Sequence, residues 1–350
     1  MVTISNTYTH RLPQFELLRI VAMFFVVLNH VIGYGLGIFE SFSVDTSTSL
    51  GFFIWCLLQI LKLIPLAGVN LFVLITGYFT IDRQQLRLRG IWRVWSTVWV
   101  YAVSIYIICS VLGITPFTWG NLLREATPVL SNTYWFVTSY IILMLFAPII
   151  SKVLANANNL QYIIVIILGG IICFQPLLGQ YVMDSQQIIL FIYLFIIGGY
   201  IRKYHINVKI NTIYILSFIG IILLLMFLYA LYKNTLTGSS HYKIFSMTYY
   251  GLVLPLSVGV FLYAKNWNIK SDRVRKAILI VAPLSFSAYI IDSQSVIHVL
   301  LYDNLKDILL SLDPILLPIA CIGFTVVIYA VCILIDFIRL RVTIKIKDSL

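Results

Sequence analysis

The sequence predicts an all-α membrane protein, a polytopic helical bundle with about ten net crossings and both termini in the cytoplasm. Two observations support this fold class. Hydrophobic residues make up 61% of the 350 residues and charged residues only 11%, whereas a soluble domain has roughly 25% charged residues. Apolar runs long enough to cross about 30 Å of hydrocarbon recur along the whole chain. Neither a linker nor a soluble segment interrupts them, so residues 1–350 are expected to form a single integral membrane domain.

The predicted spans follow the apolar runs in chain order. The second run is too long for one simple helix, and Pro65 and Gly68 in KLIPLAG are expected to break it through a kink or a re-entrant turn. The spans lie near 15–37, 50–81, 91–112, 133–153, 161–178, 187–202, 211–232, 246–264, 278–300 and 314–338.

Basic residues predict the orientation in the membrane. With the N-terminus inside and 50–81 counted as one net crossing, 18 of the 24 Lys and Arg residues lie on the inside. Counting 50–81 as two full crossings reverses this bias, against the positive-inside rule. The net charge of +11 therefore indicates membrane lipid rather than nucleic acid as the partner. The outer basic residues are Arg124, Lys233, Lys243 and Lys306.

The first span carries ionisable side chains that are costly in hydrocarbon. In ELLRIVAMFFVVLNH, Glu16 precedes Arg19 by three residues and can pair with it. Arg19 and His30 are about three helical turns apart, so they share a face and lie roughly 16 Å apart along the axis. Glu16 and Arg19 could instead snorkel to the interface, and His30 could serve only as a hydrogen bond between helices. Because an imidazole exchanges protons near neutral pH, we favour His30 as a general base.

A second stretch, NLFVLITGYFTIDRQQLRLRGIWRVW, runs from a span into a cluster of arginines. These arginines could bind lipid headgroups, or they could bind a phosphorylated cofactor, since guanidinium groups match phosphate oxygens. The spacing does not decide between the two. The arginines are Arg83, Arg87, Arg89 and Arg93.

Two further stretches contain unusual side chains. The aromatic triplet that opens YWFVTSYIILMLFAP, residues 134–148, is typical of an interfacial aromatic belt. Asp292 and His298 fall inside the ninth predicted span and are expected on different faces of its helix. A buried Asp in a span is expected to face a partner or a wet cavity. The five cysteines and five histidines are dispersed, and their spacing predicts neither disulfides nor a metal site.

Together these stretches resemble the acyltransferase-3 family of integral membrane O-acyltransferases. The family pattern of an acidic residue, Arg, ten residues and His is similar to Glu16, Arg19 and His30. GVNLFVLITGYF is similar to the family's Phe-rich span ending in Ser-Gly-Tyr/Phe, with Thr76 in place of Ser. YWFVTSYIILMLFAPII is similar to its Trp-Phe…Tyr…Pro signature. The family often has Arg-x-x-Arg in the basic loop, which the spacing here does not reproduce.

The resemblance implies transfer of an acyl group, usually acetyl from acetyl-CoA, to a sugar hydroxyl of a cell-surface or lipid-linked glycan. It implies a multi-pass protein of the bacterial plasma membrane. His30 would act as base on the acceptor hydroxyl or carry the acyl group transiently, and Glu16 and Arg19 would position it or the donor. The donor's phosphates would bind in the basic loop. The candidate cofactor-binding residues are Arg83, Arg87, Arg89 and Arg93.

Two rival functions stay open at the level of sequence. A transporter or flippase for a polysaccharide or a lipid-linked sugar would also place charges within helices and basic loops inside. A non-catalytic membrane partner of a glycan-synthesis complex is disfavoured by the three ionisable residues of the first span.

Overall fold

The computed structural model is an all-α membrane bundle, as the sequence predicts. It describes residues 11–37, 42–174, 186–204, 211–236, 241–243 and 251–349. The helices, in chain order, are α1 (Pro13–His30), α2 (Ser49–Leu63), α3 (Ala67–Thr80), α4 (Leu88–Val111), α5 (Trp119–Ala126), α6 (Trp135–Ala155), α7 (Asn159–Phe174), α8 (Gln186–Lys203), α9 (Thr212–Thr235), α10 (Val253–Lys265), α11 (Asp272–Val281), α12 (Ser285–Asp292), α13 (Ser295–Leu310) and α14 (Leu317–Ser349).

Each predicted span except the ninth coincides with an apolar helix or a pair of helices. In the part of the chain that the structure describes, seven segments are long and apolar enough to cross a membrane: Pro13–Gly35, Ser49–Thr80, Leu88–Val111, Trp135–Ala155, Thr212–Thr235, Asp272–Asp292 and Pro314–Val342. Helices α7, α8 and α10 occupy the other three predicted spans, whose ends at 175–178 and 246–250 lie outside the described residues. The number of crossings and the side of the termini remain predictions.

A short antiparallel sheet joins two loops that are both predicted to lie outside. Strand β1 (Ser43–Asp45) pairs with β2 (His241–Lys243). Since β1 precedes the segment 50–81 and β2 follows the seventh predicted span, an even number of crossings must separate them. Counting 50–81 as one crossing gives an even number and counting it as two gives an odd one. The pairing therefore favours one net crossing for this segment.

Helix α1 is packed on several sides within the bundle. It contacts α3, α10, α11, α12 and α14, and Leu18, Ala22 and Val27 on it are fully buried. Beyond His30 the chain continues as a π-helix, Val31–Gly35. Such wide turns are rare and occur frequently at functional sites, and this one carries the end of α1 to α13.

The predicted break within 50–81 is confirmed. Helix α2 ends at Leu63 and α3 begins at Ala67, with Pro65 in the turn between them. Gly68 lies inside α3 rather than in the turn. A Cβ at Gly68 would overlap the backbone oxygen of Ala22 in α1, so this glycine allows close helix packing instead of breaking the helix.

Helices α3 and α8 also approach each other through glycines. A Cβ at Gly77, in the Thr-Gly-Tyr-Phe stretch, would overlap the backbone oxygen of Phe195. A Cβ at Gly198 would overlap the backbone oxygen of Leu74 in the same way. Small residues are what permit such close backbone contact between membrane helices. The Thr-Gly-Tyr-Phe stretch therefore has a packing role of its own.

The ninth predicted span, 278–300, is wrong as a single helix. Helix α11 passes through a 3₁₀ turn containing Pro283 into α12, which ends at Asp292. Helix α13 begins after Gln294, whose side-chain oxygen accepts from two backbone N–H groups of its first turn. The expectation that Asp292 and His298 occupy different faces of one helix is also wrong, because the chain turns between them.

Candidate active site

The candidate active site is a His–Asp pair between α1 and the end of α12. His30 Nδ1 lies 2.5 Å from Asp292 Oδ2. The Asp292 side chain is fully buried, and that of His30 is 13% exposed. The contact joins residues that are 262 positions apart in the chain, and it forms because α12 packs on α1.

The partners of Asp292 determine which nitrogen of His30 is available. When Asp292 is ionised it only accepts hydrogen bonds, and a neutral His30 imidazole then donates from Nδ1 and keeps the lone pair on Nε2. Tyr302 in α13 donates its hydroxyl proton to the other carboxylate oxygen, Oδ1. Asp292 is thus held from two sides and fixes the orientation of the imidazole. An imidazole held in this way can accept a proton from a substrate hydroxyl at Nε2.

Two more ring side chains surround His30. The ring centroids of Tyr34 and His298 lie 5.7 and 5.8 Å from that of His30. His298 Nδ1 is 3.3 Å from the backbone oxygen of Asp292, and its ring contacts Tyr302. Tyr34 is 46% exposed, so the cluster reaches the protein surface at this side chain.

A small cavity, which we call the dyad cavity, lies beside His30. It has a volume of about 10 Å³ and is lined by Asn29 and His30 together with Pro65 and Trp135, which is room for about one water molecule. Lys62 Nζ donates to Asn29 Oδ1 at 2.7 Å in the protein interior. The amide oxygen of Asn29 accepts this hydrogen bond and therefore faces Lys62, and the NH₂ group of Asn29 is directed elsewhere.

A larger cavity, which we call the inner cavity, lies at the other end of α1. It has a volume of about 460 Å³ and is lined by Glu16, Arg19, Arg11 and Arg83 among others. Arg19 and Glu16 form the predicted ion pair, and the Arg19 guanidinium lies 5.8 Å from the centroid of the Phe79 ring. This predicted pair therefore borders a space large enough for part of a ligand rather than lying against lipid alone.

The structure separates the four predicted loop arginines. Arg83 lines the inner cavity, whereas Arg87, Arg89 and Arg93 are exposed around the start of α4. Trp92 on the same helix is exposed as well. Exposed Trp beside Arg is typical of a membrane interface, so the placement of these three suits contact with lipid headgroups. Burial lowers the pKa of Arg83, and the nearby Arg87 lowers it further.

The interpretation of the aromatic triplet as an interfacial belt is wrong. Tyr134 and Phe136 are buried. Trp135 and Phe136 line the dyad cavity, and Tyr140, one turn further along α6, lines the inner cavity. Tyr140 also shares a hydrogen bond of 3.2 Å with the hydroxyl of Thr76. This stretch therefore faces the interior of the bundle, between the two cavities.

Aromatic rings separate the inner cavity from the dyad cavity. Phe72 lines the inner cavity and its ring centroid lies 5.6 Å from that of Phe136, which lines the dyad cavity. Phe286 and Tyr289 on α12 form a second such pair, with centroids 6.2 Å apart. A ligand that extends from one cavity to the other must displace these rings.

The structure brings some predicted site residues together and adds others. His30 lies apart from the Glu16–Arg19 pair, as the spacing along α1 requires. The sequence predicts that Asp292 faces a partner or a wet cavity, and the structure identifies His30 as that partner. Tyr302 and Asn29 were missed, since neither carries a charge. Lys62 is a basic residue inside the predicted span 50–81, and that position was the available signal.

Fold and site together define the class of this protein. It is a polytopic membrane protein with a buried His–Asp pair suited to removing a proton from a hydroxyl group. The acyltransferase-3 family model, described as an acyltransferase domain, matches residues 12–336. The chain belongs to the acyltransferase-3 family and is a membrane acyltransferase. Comparisons with curated proteins and with solved structures gave no significant match.

Proposed function

We propose that this protein transfers an acetyl group from cytoplasmic acetyl-CoA to a sugar hydroxyl of a cell-surface or lipid-linked glycan, at the bacterial plasma membrane. The observation that carries the proposal is the contact of His30 Nδ1 with Asp292 at 2.5 Å. It leaves Nε2 of His30 as an acceptor for the proton of an attacking hydroxyl.

The inner cavity supports the donor side of the proposal. Arg11, Arg19 and Arg83 border one space, and several guanidinium groups around a cavity suit the phosphates of a CoA thioester. Glu16 orients Arg19 through their ion pair. The thioester arm would then extend along α1, past the aromatic rings, to reach His30.

The transfer step requires one base and one leaving group. His30 Nε2 accepts the proton of the acceptor hydroxyl while the hydroxyl oxygen forms a bond to the thioester carbonyl carbon. The C–S bond then breaks, and the CoA thiolate takes the proton from the His30 imidazolium. The products are the O-acetyl ester and free CoA thiol. Asp292 stabilises the imidazolium that exists between these two proton transfers.

Asn29 is suited to stabilise the oxygen on which negative charge develops. Its amide oxygen is held by Lys62, and Asn29 lines the same small cavity as His30. A side-chain N–H group fixed before the reaction costs no reorganisation at that moment. We therefore assign Asn29 as the donor to the thioester carbonyl oxygen, with Lys62 as a positioning residue.

The test uses purified protein in lipid vesicles with radiolabelled acetyl-CoA and envelope polysaccharide from which ester-linked acetyl groups were removed by mild alkali. Wild type should move label to the polysaccharide, and His30→Ala should lose at least a thousandfold in rate. His241→Ala, which replaces a histidine of strand β2, is the matched control. A His30→Ala protein with near-normal transfer would contradict the assignment.

The same assay separates the remaining alternatives. Label retained on wild type before polysaccharide is added, and absent from His30→Ala, would make His30 an acyl carrier rather than a base. Polysaccharide or lipid-linked sugar that crosses the vesicle membrane unmodified, with no acetyl transfer by folded wild type, would identify a transporter and overturn the proposal.

A further inference from the structure

A third cavity, which we call the outer cavity, lies on the opposite side of α13 from the His–Asp pair. It has a volume of about 450 Å³ and is formed by the end of α4, by α5 and by the first three turns of α13. All of these elements lie on the side that is predicted to face out of the cell. Its volume is within the range of small-molecule binding sites.

Glu125 is an incompletely paired acid in the wall of this cavity. Its side chain is 2% exposed, and its Oε1 accepts from the hydroxyl of Ser295 at 2.6 Å. Its Oε2 is buried and has no hydrogen-bond partner among the described residues. A buried carboxylate oxygen without a donor is costly, so a ligand that offers hydroxyl groups would satisfy it.

The remaining lining indicates the chemical class of that ligand. It contains two amides, Asn121 and Asn304, a second carboxylate, Asp303, and one guanidinium, Arg124. Because the lining has two carboxylates and one guanidinium, it disfavours a phosphate or another anion. Mixed donors and acceptors with little net charge suit a neutral molecule with several hydroxyl groups. A saccharide unit has this chemistry.

Helix α13 connects this cavity to the His–Asp pair. Ser295 and Asn304 line the outer cavity, whereas His298 and Tyr302 on the other face of α13 contact His30. A helix is about 10 Å across with its side chains, which is the scale of one or two sugar units. We propose that the outer cavity binds a saccharide unit of the acceptor glycan close to the unit that is acetylated at His30. This rests on the proposed function.

The test fills the outer cavity with a larger side chain and measures polysaccharide binding separately from acetyl transfer. Asn304 is an exposed cavity residue of α13, and Asp307 is an exposed residue of the same helix that is not among the cavity lining. We would compare Asn304→Trp with the control Asp307→Trp, and add Asn121→Ala as a milder cavity variant. The probe is fluorescently labelled, alkali-treated envelope polysaccharide of the producing cells. Binding of acetyl-CoA and thermal unfolding are measured on the same samples.

The expected result is that Asn304→Trp weakens polysaccharide binding and raises its KM at least tenfold, with kcat and acetyl-CoA affinity within twofold of wild type. Asn121→Ala should weaken binding about fivefold, and Asp307→Trp should behave as wild type. Wild-type binding by a folded Asn304→Trp protein would overturn the inference, as would absence of polysaccharide binding by wild type. Competition by phospholipid vesicles but not by soluble sugars would assign the cavity to a lipid headgroup and also overturn it.

The outcomes for the two proposals are distinguishable. If wild type fails to transfer acetyl groups but binds polysaccharide in a manner that depends on Asn304, the proposed function fails and the assignment of the outer cavity stands. If wild type transfers acetyl groups and filling the cavity changes nothing, the cavity assignment alone fails.

Discussion

Replacing Asp292 with Asn tests the chemistry of the site most directly. The change keeps the shape of the side chain and replaces one carboxylate oxygen by an NH₂ group. The NH₂ group lies opposite His30 Nδ1 and donates a hydrogen bond to it, whereas the carboxylate accepted one from it. The proton of the neutral imidazole then moves to Nε2, and the nitrogen that should accept the substrate proton is blocked.

The magnitude follows from the role of the base. A positioned general base contributes about 10²–10⁴ in rate, and loss of the correct tautomer through an Asp-to-Asn change costs about 10⁴ in a Ser-His-Asp triad. We therefore expect kcat of Asp292→Asn to fall by about 10³ or more, which corresponds to about 4 kcal/mol. KM for acetyl-CoA should stay unchanged, because Asp292 lies apart from the inner cavity.

The assay is acetyl transfer from radiolabelled acetyl-CoA to alkali-treated polysaccharide in proteoliposomes, with kcat and KM determined separately. Tyr302→Phe is the graded comparison. It removes the hydroxyl that donates to Asp292 Oδ1 but leaves the contact with His30. A single hydrogen bond to a charged group contributes about 1.5–3 kcal/mol, so a loss of about tenfold to a hundredfold in kcat is expected for this variant.

One result would refute the reasoning. If Asp292→Asn keeps kcat within threefold of wild type in a well-folded preparation, the carboxylate does not set the protonation of His30. The His–Asp contact would then be structural, and the base would have to be sought elsewhere in the cluster.

Three further predictions address the donor site, the packing and the pH dependence. Arg83→Gln should raise KM for acetyl-CoA about tenfold. Arg89→Gln, which removes an exposed guanidinium, should change KM for acetyl-CoA less than twofold. Equal effects of the two substitutions would argue against phosphate binding in the inner cavity. Gly77→Ala should lower the midpoint of thermal unfolding in detergent by several degrees because its Cβ meets the backbone of α8, and Gly90→Ala, which meets open space, should leave it unchanged. Burial raises the pKa of Glu125, so the stabilisation from its protonated form is present at low pH and is lost as pH rises through the raised pKa. The thermal midpoint of Glu125→Gln should therefore exceed that of wild type by more at pH 8 than at pH 4.5, and a pH-independent difference would contradict the raised pKa.

The local signals in the sequence were sufficient for the fold class and for the first helix. Hydrophobic run length and low charge depend only on neighbouring residues, and they predict membrane helices because every backbone polar group must be satisfied within the hydrocarbon. The face shared by Arg19 and His30 also follows from helix geometry alone. Pro65 could be assigned to a break because its ring excludes a regular helix interior.

Contacts between distant segments could not be predicted in this way. Asp292 meets His30 only because the chain turns after α12, and the position of that turn depends on packing and on the cap supplied by Gln294. Tyr134 and Phe136 carry the composition of an interfacial belt, yet they are buried because their end of α6 packs against neighbouring helices. Periodicity describes one helix at a time and does not specify which face meets which neighbour.

The sequence by itself determined that this is a multi-pass membrane protein. It also identified His30 as a candidate general base and predicted an ion pair between Glu16 and Arg19. Only the tertiary structure decided that Asp292 orients His30, and that Arg83 rather than the exposed loop arginines borders the inner cavity. The physical reason is that the identity of an ionisable residue fixes what it can do, whereas its partners are fixed by helix packing across the whole bundle.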